Sequence, residues 1–549
     1  MSLTQSGGLP AWILRDISIS LDELHPQTEW TLLRHVAAKR LGIPREAVSS
    51  LSVVKESLDA RRKDAMAIVY TLCVETAAKP SARSGAQPVP APVVQVAPVE
   101  PTGMRRRAGM PADSLRPVVV GAGPCGLFCA LALAEAGLPP ILVERGQPVE
   151  RRREDVRAYW QGGALDAESN VQFGEGGAGT FSDGKLTTRI HDPRCTRVLD
   201  VLADLGAPEE IRWRVKPHVG TDLLVPLMVR LRERLLALGT EIRFGTRVDG
   251  LVVGNGCVRG VRLKDGEEID ASAVVLAIGH SARDTFAWLH GMGIAMEPKP
   301  FSVGVRIEHL QAQVNRAQFG GRVHYKLGAA EYGLSERFGD RAAYTFCMCP
   351  GGTVVAAASE PGTIVTNGMS DRARDGVNAN SAFVVSVDPA DYGRHPLEGI
   401  AFQRHLERAA FQLGGGRDAA PVQRLGDFLS GAPTTAFGAV KPTYTGDVRM
   451  ARLDEALPSF VSARLRDAVA PFDRRLRGFA DPDAVMTGFE TRTSSPIRLT
   501  RGESLEAAGL PGLYPAGEGA GHAGGIMSAA VDGLRVAEAL LDATRATER

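Results

Sequence analysis

The feature that most constrains the fold of this chain is a glycine motif at Gly121-Ala-Gly123-Pro-Cys-Gly126. Three consecutive valines precede the motif, and a helical run over Leu127–Ala136 follows it. In a nucleotide-binding βαβ unit the first glycine permits a tight turn, the second lets the backbone approach a pyrophosphate, and the third lets helix and strand pack closely. The N–H groups at the start of that helix would face the phosphates. The motif therefore predicts a dinucleotide site that includes Pro124 and Cys125 of the turn.

The next strand, Pro140–Val143, leads into Glu144, eighteen residues after Gly126. An acidic residue at this strand end accepts hydrogen bonds from the hydroxyls of an adenosine ribose. Its charge would repel a 2′-phosphate, which argues against NADP in this site. We therefore assign Glu144 and the adjacent Arg145 to the adenosine side of the site. The first motif alone leaves FAD and NAD equally open.

A second glycine-rich segment near the C-terminus separates these two cofactors. A short apolar strand leads into Gly517 and Glu518, and Gly525, Ile526 and Met527 begin a helical run. Glu518 can accept a hydrogen bond from a ribityl chain, and the positive end of the helix would stabilise negative charge on a reduced flavin. An NAD site is complete within one Rossmann unit and needs no such distant segment. FAD is therefore the predicted cofactor.

Two internal segments are expected to complete the FAD site. The apolar run Ala273–His280 is typical of the strand on which such flavoproteins return towards the cofactor, and the loop Gln172–Leu186 is too rich in glycine for a helix or strand. A loop of this kind would wrap over the isoalloxazine and offer polar contacts to it. The residues assigned to cofactor binding here are Gly176, Gly177, Thr180, Ser182, Lys185, Ile278 and Gly279, together with Val248, which is the first residue of a β-meander.

The order of the predicted elements indicates an α/β protein. A two-part Rossmann-type FAD-binding domain is interrupted by an inserted α+β substrate domain and preceded by a small α+β domain. Prolines among Ala, Val and Gln after the small domain are typical of an extended tether. The predicted parts are the N-terminal domain at 1–78, the linker at 79–116, the FAD-binding domain at 117–299 and 486–549, and the substrate domain at 300–485.

With these motifs in hand, the chain resembles the bacterial and plastid family of uncharacterised FAD-dependent dehydrogenases, which are NAD(FAD)-utilising dehydrogenase-like members of the glutathione-reductase-type flavoprotein superfamily. The resemblance runs from about residue 117 to the last residue, and the small N-terminal domain also resembles the one in that family. It implies an FAD fold and oxidoreductase activity, and it implies no particular substrate. It is carried by Val118–Gly126 with Glu144, Asn170–Leu186, Lys216–Asp222, Gly368–Asn380 and Gly517–Met527.

Several residues are candidates for the chemistry itself. His280 and His522 lie inside cofactor motifs and can act as acid or base. Arg492 and Arg498 flank a Thr-Ser-Ser-Pro segment and can clamp an anionic substrate between them. Lys441 is a further candidate, from within the substrate domain.

The pair Cys347-Met-Cys349 has two interpretations. On a strand the two sulfur atoms would share one face, so they could act as a redox pair. The disulfide reductases of this superfamily use a wider spacing near the first Rossmann unit, which favours two buried strand cysteines instead. We expect no metal ion at this pair or elsewhere.

Composition narrows the class of protein further. Lys and Arg number 64 and Asp and Glu number 63, so no general attraction to nucleic acid or to an anionic membrane is expected. No apolar run approaches the roughly 18 residues of a membrane span. Seven cysteines without a disulfide-like spacing favour a reducing cytoplasm.

The function predicted from these features is an FAD-dependent oxidoreductase that transfers hydride between flavin and an unidentified small molecule. One alternative is an NAD(P)H-dependent monooxygenase, with NAD(P)H as a transient electron donor. Another is an FAD-containing protein that binds or modifies RNA through Lys55 and Arg61–Lys63 of the N-terminal domain. That domain is also a candidate for docking a partner protein.

Overall fold

The computed structural model describes residues 9–89 and 115–547. Residues 9–89 form a four-stranded sheet in the order β2-β3-β1-β4, with one helix packed on it. The domain is α+β, as predicted, and Gly42 ends its helix in the left-handed conformation, at φ 70°. The elements are β1 (Ala11–Ser20), α1 (Glu29–Leu41), β2 (Ser50–Asp59), β3 (Ala67–Glu75) and β4 (Gln87–Pro88).

Residues 79–89 were assigned to the linker, but they lie against the N-terminal sheet. Strand β4 pairs with β1, and the Ser81 N–H donates a hydrogen bond to Leu41 O at 2.8 Å. The structured N-terminal part therefore extends to residue 89. The rest of the predicted linker up to residue 114 lies outside the described residues.

A five-stranded parallel sheet in the order β23-β11-β5-β6-β7 supports the dinucleotide motif. Its elements and neighbours before the insertion are β5 (Val118–Val120), α2 (Pro124–Glu135), β6 (Ile141–Val143), α3 (Val149–Trp160), α4 (Arg194–Asp204), α5 (Thr221–Ala237), β7 (Glu241–Arg243), β8 (Val248–Gly254), β9 (Cys257–Leu263), β10 (Glu268–Asp270), β11 (Val274–Leu276), α6 (Arg283–Gly291) and β12 (Met296–Pro298). Helix α2 begins three residues before the predicted run because Pro124 suits the first helical turn.

The C-terminal part of the chain returns to this same sheet. Its elements are β22 (Ile497–Leu499), β23 (Leu513–Pro515) and α12 (Ile526–Thr547). Strand β23 pairs in parallel with β11, which itself lies beside β5. The loop after β23 therefore lies next to the loop after β5, although almost four hundred residues separate them in sequence. The two-part Rossmann-type fold is confirmed.

The inserted domain is built on a seven-stranded sheet in the order β14-β15-β18-β13-β21-β19-β20. The last of its strands in sequence, β21, begins at Val485 and pairs with β13 and β19, so this sheet continues beyond the predicted boundary at residue 485. Its elements are β13 (Phe301–Leu310), α7 (Gln311–Phe319), β14 (Ser335–Phe338), β15 (Arg341–Cys349), β16 (Thr353–Ala356), β17 (Thr366–Met369), β18 (Asn378–Val387), α8 (Pro389–Tyr392), α9 (Glu398–Leu413), β19 (Ala420–Arg424), α10 (Leu425–Ser430), β20 (Val448–Met450), α11 (Ser459–Arg475) and β21 (Val485–Glu490).

The N-terminal domain packs directly against the inserted domain. One hydrophobic core includes apolar residues of both sheets. At its edge, Lys326 Nζ lies 2.6 Å from a carboxylate oxygen of Glu29 and 3.0 Å from one of Glu56. The Lys326 side chain is largely buried, and breaking a buried ion pair from one side is costly, so this contact ties the N-terminal domain to the inserted domain.

The two arginines at the basic tip of the N-terminal domain are neutralised by neighbouring aspartates. Arg61 pairs with Asp59 at 2.5 Å, and Arg62 pairs with Asp64 at 2.8 Å. These pairs remove much of the positive field that an RNA-binding surface needs. Among the described residues, no helix is long and apolar enough to cross a membrane.

Candidate functional site

A cavity of about 1300 Å³ lies between the glycine-rich loops of the five-stranded sheet and strand β15 of the inserted domain. Its volume exceeds the roughly 300–1,000 Å³ of typical small-molecule pockets. It can therefore hold a dinucleotide together with a second molecule. The predicted site residues that line it are Gly121, Gly123, Pro124, Cys125, Glu144, Arg145, Gly177, Ser182, Lys185, Val248, Ile278, Gly279, His280, Arg492, Glu518, His522, Gly525, Ile526 and Met527.

Four residues assigned to cofactor binding stand behind the cavity wall instead. A Cβ on Gly126 would overlap the carbonyl oxygen of Gly121, and one on Gly517 would lie 2.8 Å from Cβ of Cys125. A Cβ on Gly176 would overlap Thr180 Oγ1. Thr180 is buried and donates its hydroxyl proton to a backbone carbonyl. These residues let the loops pack closely and have no face towards the cavity.

A second set of glycines faces open space. Among the described residues, no atom lies within 4 Å of the position that a Cβ would take on Gly279, Gly524 or Gly525. Gly524 and Gly525 immediately precede helix α12, whose first N–H groups carry the positive end of the helix dipole. Gly123 is nearly as open, since its Cβ would lie 3.8 Å from Cα of Gly177. A ligand can therefore approach the backbone at both helix starts.

Glu144 holds three backbone segments together at one end of the cavity. Its Oε2 accepts the Ala122 N–H at 2.7 Å, and its Oε1 accepts the N–H groups of Gly146 and Gly174, both at 2.9 Å. A carboxylate oxygen has two lone pairs, so Oε2 retains one acceptor site for a ribose hydroxyl. Arg145 is bound by Glu168 and Asp284 and stacks over an aromatic ring, which leaves its position fixed by the protein.

Arg152 is a central residue of the site that the sequence analysis missed. Its side chain is fully buried and donates hydrogen bonds to the carbonyl oxygens of five residues of the loop before the cavity, which are Asn170, Val171, Gly174, Glu175 and Gly177. Burial lowers the pKa of its guanidinium to about 10. The planar guanidinium group of arginine carries several N–H donors in a fixed fork, so one side chain can bind all of these carbonyl oxygens. Within a run of three arginines, no sequence signal marks the one that turns inward.

The two candidate histidines are both neutral near physiological pH. Burial, and then the positive charges of Arg492 and Arg283, lower the pKa of His280 to about 3. Burial also lowers the pKa of His522, whose Nε2 lies 3.0 Å from Leu499 O and therefore carries the proton. A neutral imidazole can accept or donate one hydrogen bond, but it does not serve as a strong acid at neutral pH.

Arg492 reaches the cavity wall as part of a buried ion cluster. Its Nε and Nη2 each lie 3.0 Å from a carboxylate oxygen of Glu407, which also binds Arg283 at 2.7 Å. Burial would raise the pKa of Glu407, but the two guanidinium groups more than reverse this and hold it well below its usual value. Arg492 therefore joins the inserted domain to the FAD-binding domain.

The structure does not bring the two remaining cationic candidates to the cavity. Arg498 is exposed beside Glu297, at 3.4 Å, and is not among the residues that line the cavity, so the proposed clamp with Arg492 does not form. Lys441 is exposed, and its ammonium donates to Phe437 O at 3.1 Å. Arg498 lies on the exposed face of strand β22, and Lys441 lies on an exposed loop.

Lys185 and Glu518 are two charged residues that line the same cavity. The ammonium group of Lys185 contacts Asp183 at 2.8 Å and also the carbonyl oxygen of Met348, so it points to the inserted domain. Burial raises the pKa of Glu518 to about 7, while the nearby Lys299 opposes this rise. Glu518 is therefore harder to ionise than an exposed glutamate.

Three family models match parts of the chain. A model described as an FAD binding domain matches residues 116–176, which contain the first glycine motif and Glu144. One described as an FAD-dependent protein, C-terminal domain-like, matches residues 300–493. A domain of unknown function matches residues 14–75. The second match ends beyond strand β21, in agreement with the extent of the inserted sheet.

Relatives match the chain over different lengths. A protein of Clostridium beijerinckii that bears the name "Uncharacterized protein" is 46% identical over 534 residues, or 96% of this chain and 98% of the relative. A probable electron transfer flavoprotein-quinone oxidoreductase, YdiS of Escherichia coli, is 28% identical over 195 residues, or 35% of this chain and 43% of the relative. Among solved structures, the flavin-dependent brominase Bmp2 aligns with 78% of this chain and 79% of its own at 12% identity and a TM-score of 0.36.

Proposed function

The chain belongs to the same family as the Clostridium beijerinckii relative that matches it over almost its whole length, and it is an FAD-dependent oxidoreductase. From that premise we propose that it transfers hydride between the flavin and a small-molecule substrate held against the inserted domain. The observation that carries this proposal is one cavity, about 1300 Å³ in volume, lined by both glycine-rich motifs and by strand β15. More than one molecule fits in this space.

In this proposal the residues at the carboxyl end of the five-stranded sheet would hold FAD. Glu144 would offer its free acceptor site to the adenosine ribose, and the backbone at Gly123, at the start of α2, would accommodate the pyrophosphate. The open backbone at Gly279, Gly524 and Gly525 would accommodate the flavin ring. When bound, FAD supplies a two-electron acceptor or donor of hydride. The dipole of α12 favours the negative charge of the reduced form.

The substrate occupies the half of the cavity formed by the inserted domain. Tyr344, Phe346 and Asn367 of the inserted domain line that half, together with Lys299 on the segment that leads into this domain. They offer a cation, a phenol, an exposed aromatic face and an amide, a set suited to a polar organic molecule with an apolar part. Glu518, whose pKa burial raises to about 7, can take or release the proton that accompanies hydride transfer.

Anaerobic reduction of the purified holoenzyme tests this function. A panel of NADH, NADPH, 2-hydroxy acids and amines is mixed with the oxidised protein, and bleaching of the flavin absorption is followed in a stopped-flow instrument. We expect one donor class to bleach the flavin at a saturable rate. Reduction by NADH or NADPH followed by rapid oxygen-dependent reoxidation would instead favour the monooxygenase alternative.

Two variants make the test specific to the cavity. Lys299→Met removes a charge from the proposed substrate half, and Lys441→Met removes one outside the cavity. We expect Lys299→Met to lower the rate with the organic donor by about 10- to 150-fold and to leave reduction by dithionite unchanged, since one lost charged hydrogen bond is worth about 1.5–3 kcal/mol. A flavin that dithionite reduces, but that no donor bleaches, would contradict the proposal.

The N-terminal domain lies outside this reaction. It matches a domain of unknown function, so this match assigns no activity to it. Its arginines Arg61 and Arg62 are already paired with aspartates. We propose protein docking as its role, in preference to RNA binding. Salt-sensitive binding of RNA by the full chain, lost in Lys55→Ala, would favour RNA instead.

A further inference from the structure

Two cysteines on strand β15 lie where the inserted domain closes the cavity. Cys347 lines the cavity, and Cys349 lies fully buried behind it. The pairing of β15 with β18 shifts register between Phe346 and Cys349. Within that irregular step Cys347 adopts φ 43°, in the left-handed region that residues with a Cβ rarely enter. Such local backbone outliers recur at functional sites, and this one turns a thiol towards the cavity.

The side chain of Cys349 is turned back towards Cys347, because its thiol donates a hydrogen bond to the carbonyl oxygen of Cys347, with Sγ 3.4 Å from that oxygen. Two steps along an extended strand span about 6.4–6.8 Å between Cα atoms, at the upper end of the range of roughly 4.4–6.8 Å for a disulfide. The left-handed residue bends the strand at this point. The pair is therefore close enough to be joined with a small backbone movement.

The charges around the pair favour one thiolate. The neighbouring Cys349 thiol lowers the pKa of Cys347, with help from the cations Lys185 and Arg306 and against burial and Asp183. Both cations are at the pair: Lys185 contacts the carbonyl oxygen of Met348, and Arg306 donates to Cys347 O at 2.8 Å. The neighbouring Cys347 and burial raise the pKa of Cys349. Glu490 and Glu518 line the same cavity, and the charge of Cys347 contributes to their raised pKa values. The cations therefore favour the thiolate of Cys347, whereas burial favours the protonated thiol of Cys349.

We propose that Cys347 and Cys349 form a second redox centre that exchanges two electrons with FAD. The thiolate of Cys347 and the thiol of Cys349 form an S–S bond, and they release two electrons and one proton. Oxidised FAD takes up both electrons and that proton and becomes the reduced anion, so atoms and charge balance. The reverse step returns hydride equivalents from the flavin to the disulfide. This inference rests on the proposed location of FAD in the same cavity.

Glu518 links the two centres. It belongs to the C-terminal glycine motif beside which we place the flavin, and it lines the same cavity as Cys347. Cys125 and Cys129, by contrast, are buried in α2, where burial raises the pKa of both thiols. The thiolate at Cys347 is the form that reacts in thiol–disulfide exchange.

Anaerobic dithionite titration of the oxidised holoenzyme tests the proposal. One FAD accepts two electrons, and one disulfide accepts two more. We expect the wild-type protein to consume four electrons per FAD, and Cys347→Ser and Cys349→Ser to consume two. Cys257→Ser, at a partly exposed cysteine that does not line the cavity, is the matched control and should consume four.

Thiol counting on the wild-type protein keeps the test decisive if a variant fails to fold. Free thiols are alkylated before and after reduction, and the peptide that contains both cysteines is examined by mass spectrometry. We expect two additional labels on that peptide after reduction. Uptake of two electrons by the wild type, with both thiols free in the air-oxidised protein, would overturn the proposal. Neither readout requires the substrate, so this failure is distinct from failure of the proposed hydride transfer.

Discussion

The two halves of the cavity differ in whether backbone or side chains face the ligand. The half formed by the five-stranded sheet presents backbone, because glycines at 279, 524 and 525 leave open space where side chains would lie. The half formed by the inserted domain presents side chains, with Lys299, Tyr344 and Phe346 on its wall. A backbone surface suits a cofactor of constant shape, whereas side chains can be exchanged to fit a different substrate. Sequence motifs therefore identify the cofactor, whereas they do not identify the substrate.

The largest expected effect comes from the cluster that joins the two halves. Glu407→Gln removes the charge shared by Arg283 and Arg492, both of which are buried. Breaking a buried ion pair from one side costs about 3–5 kcal/mol, and urea unfolding of the variant measures this loss. Glu398→Gln, at an exposed position of the same helix, should stay within about 0.5 kcal/mol.

The charge of Glu407 also predicts how the stability of the protein changes at low pH. Because the pKa of Glu407 is held below its ordinary value of 4.5, its contribution to stability is present above pH 4.5 and is lost as the pH falls through its lowered pKa. The wild type should therefore lose stability below about pH 4.5 more steeply than Glu407→Gln. Equal slopes would show that the two halves are held together by other contacts.

A pair of glycine substitutions separates packing from ligand space in the backbone half. Gly126→Ala drives a methyl group into the carbonyl of Gly121, so we expect a loss of about 1–3 kcal/mol in stability together with loss of FAD. Gly525→Ala points a methyl group into open space. It should change stability by less than about 0.5 kcal/mol and weaken FAD binding. Thermal melts and fluorescence titration with FAD measure both quantities, and weak binding without any change in melting is the signature of a ligand-facing glycine.

The smallest effect concerns the Cys347 thiol of the side-chain half. Lys185→Met removes a cation that lowers the pKa of Cys347, so the pH at which Cys347 reacts half-maximally with iodoacetamide should rise by about one unit. In the wild type this midpoint is expected below the ordinary value for a thiol. Arg189→Met, on the exposed rim of the cavity, is the control. If both variants keep the wild-type midpoint, Cys349 and Arg306 set the reactivity of Cys347 without Lys185.

The sequence allowed correct prediction of the parts of this molecule that depend on local rules. The turn at Gly121, the helix after it and the return of the chain at Gly517 follow from strand, glycine and helix patterns, and the fold class is confirmed. The ion cluster of Glu407 could not be predicted, because its members come from three distant segments. Lys441 was a poor candidate for the same reason, since no local pattern tells whether a loop cation reaches a distant cavity.

The central claim is that both glycine-rich segments close around one FAD, and equilibrium titration of the folded apoprotein with FAD tests it most directly. Quenching of flavin fluorescence gives the stoichiometry, and circular dichroism on the same sample verifies the fold. We expect saturation at one FAD per chain for the wild type and much weaker binding for Gly525→Ala. A folded wild-type protein that takes up no FAD, or a Gly525→Ala variant that binds it as tightly as the wild type, would contradict this account.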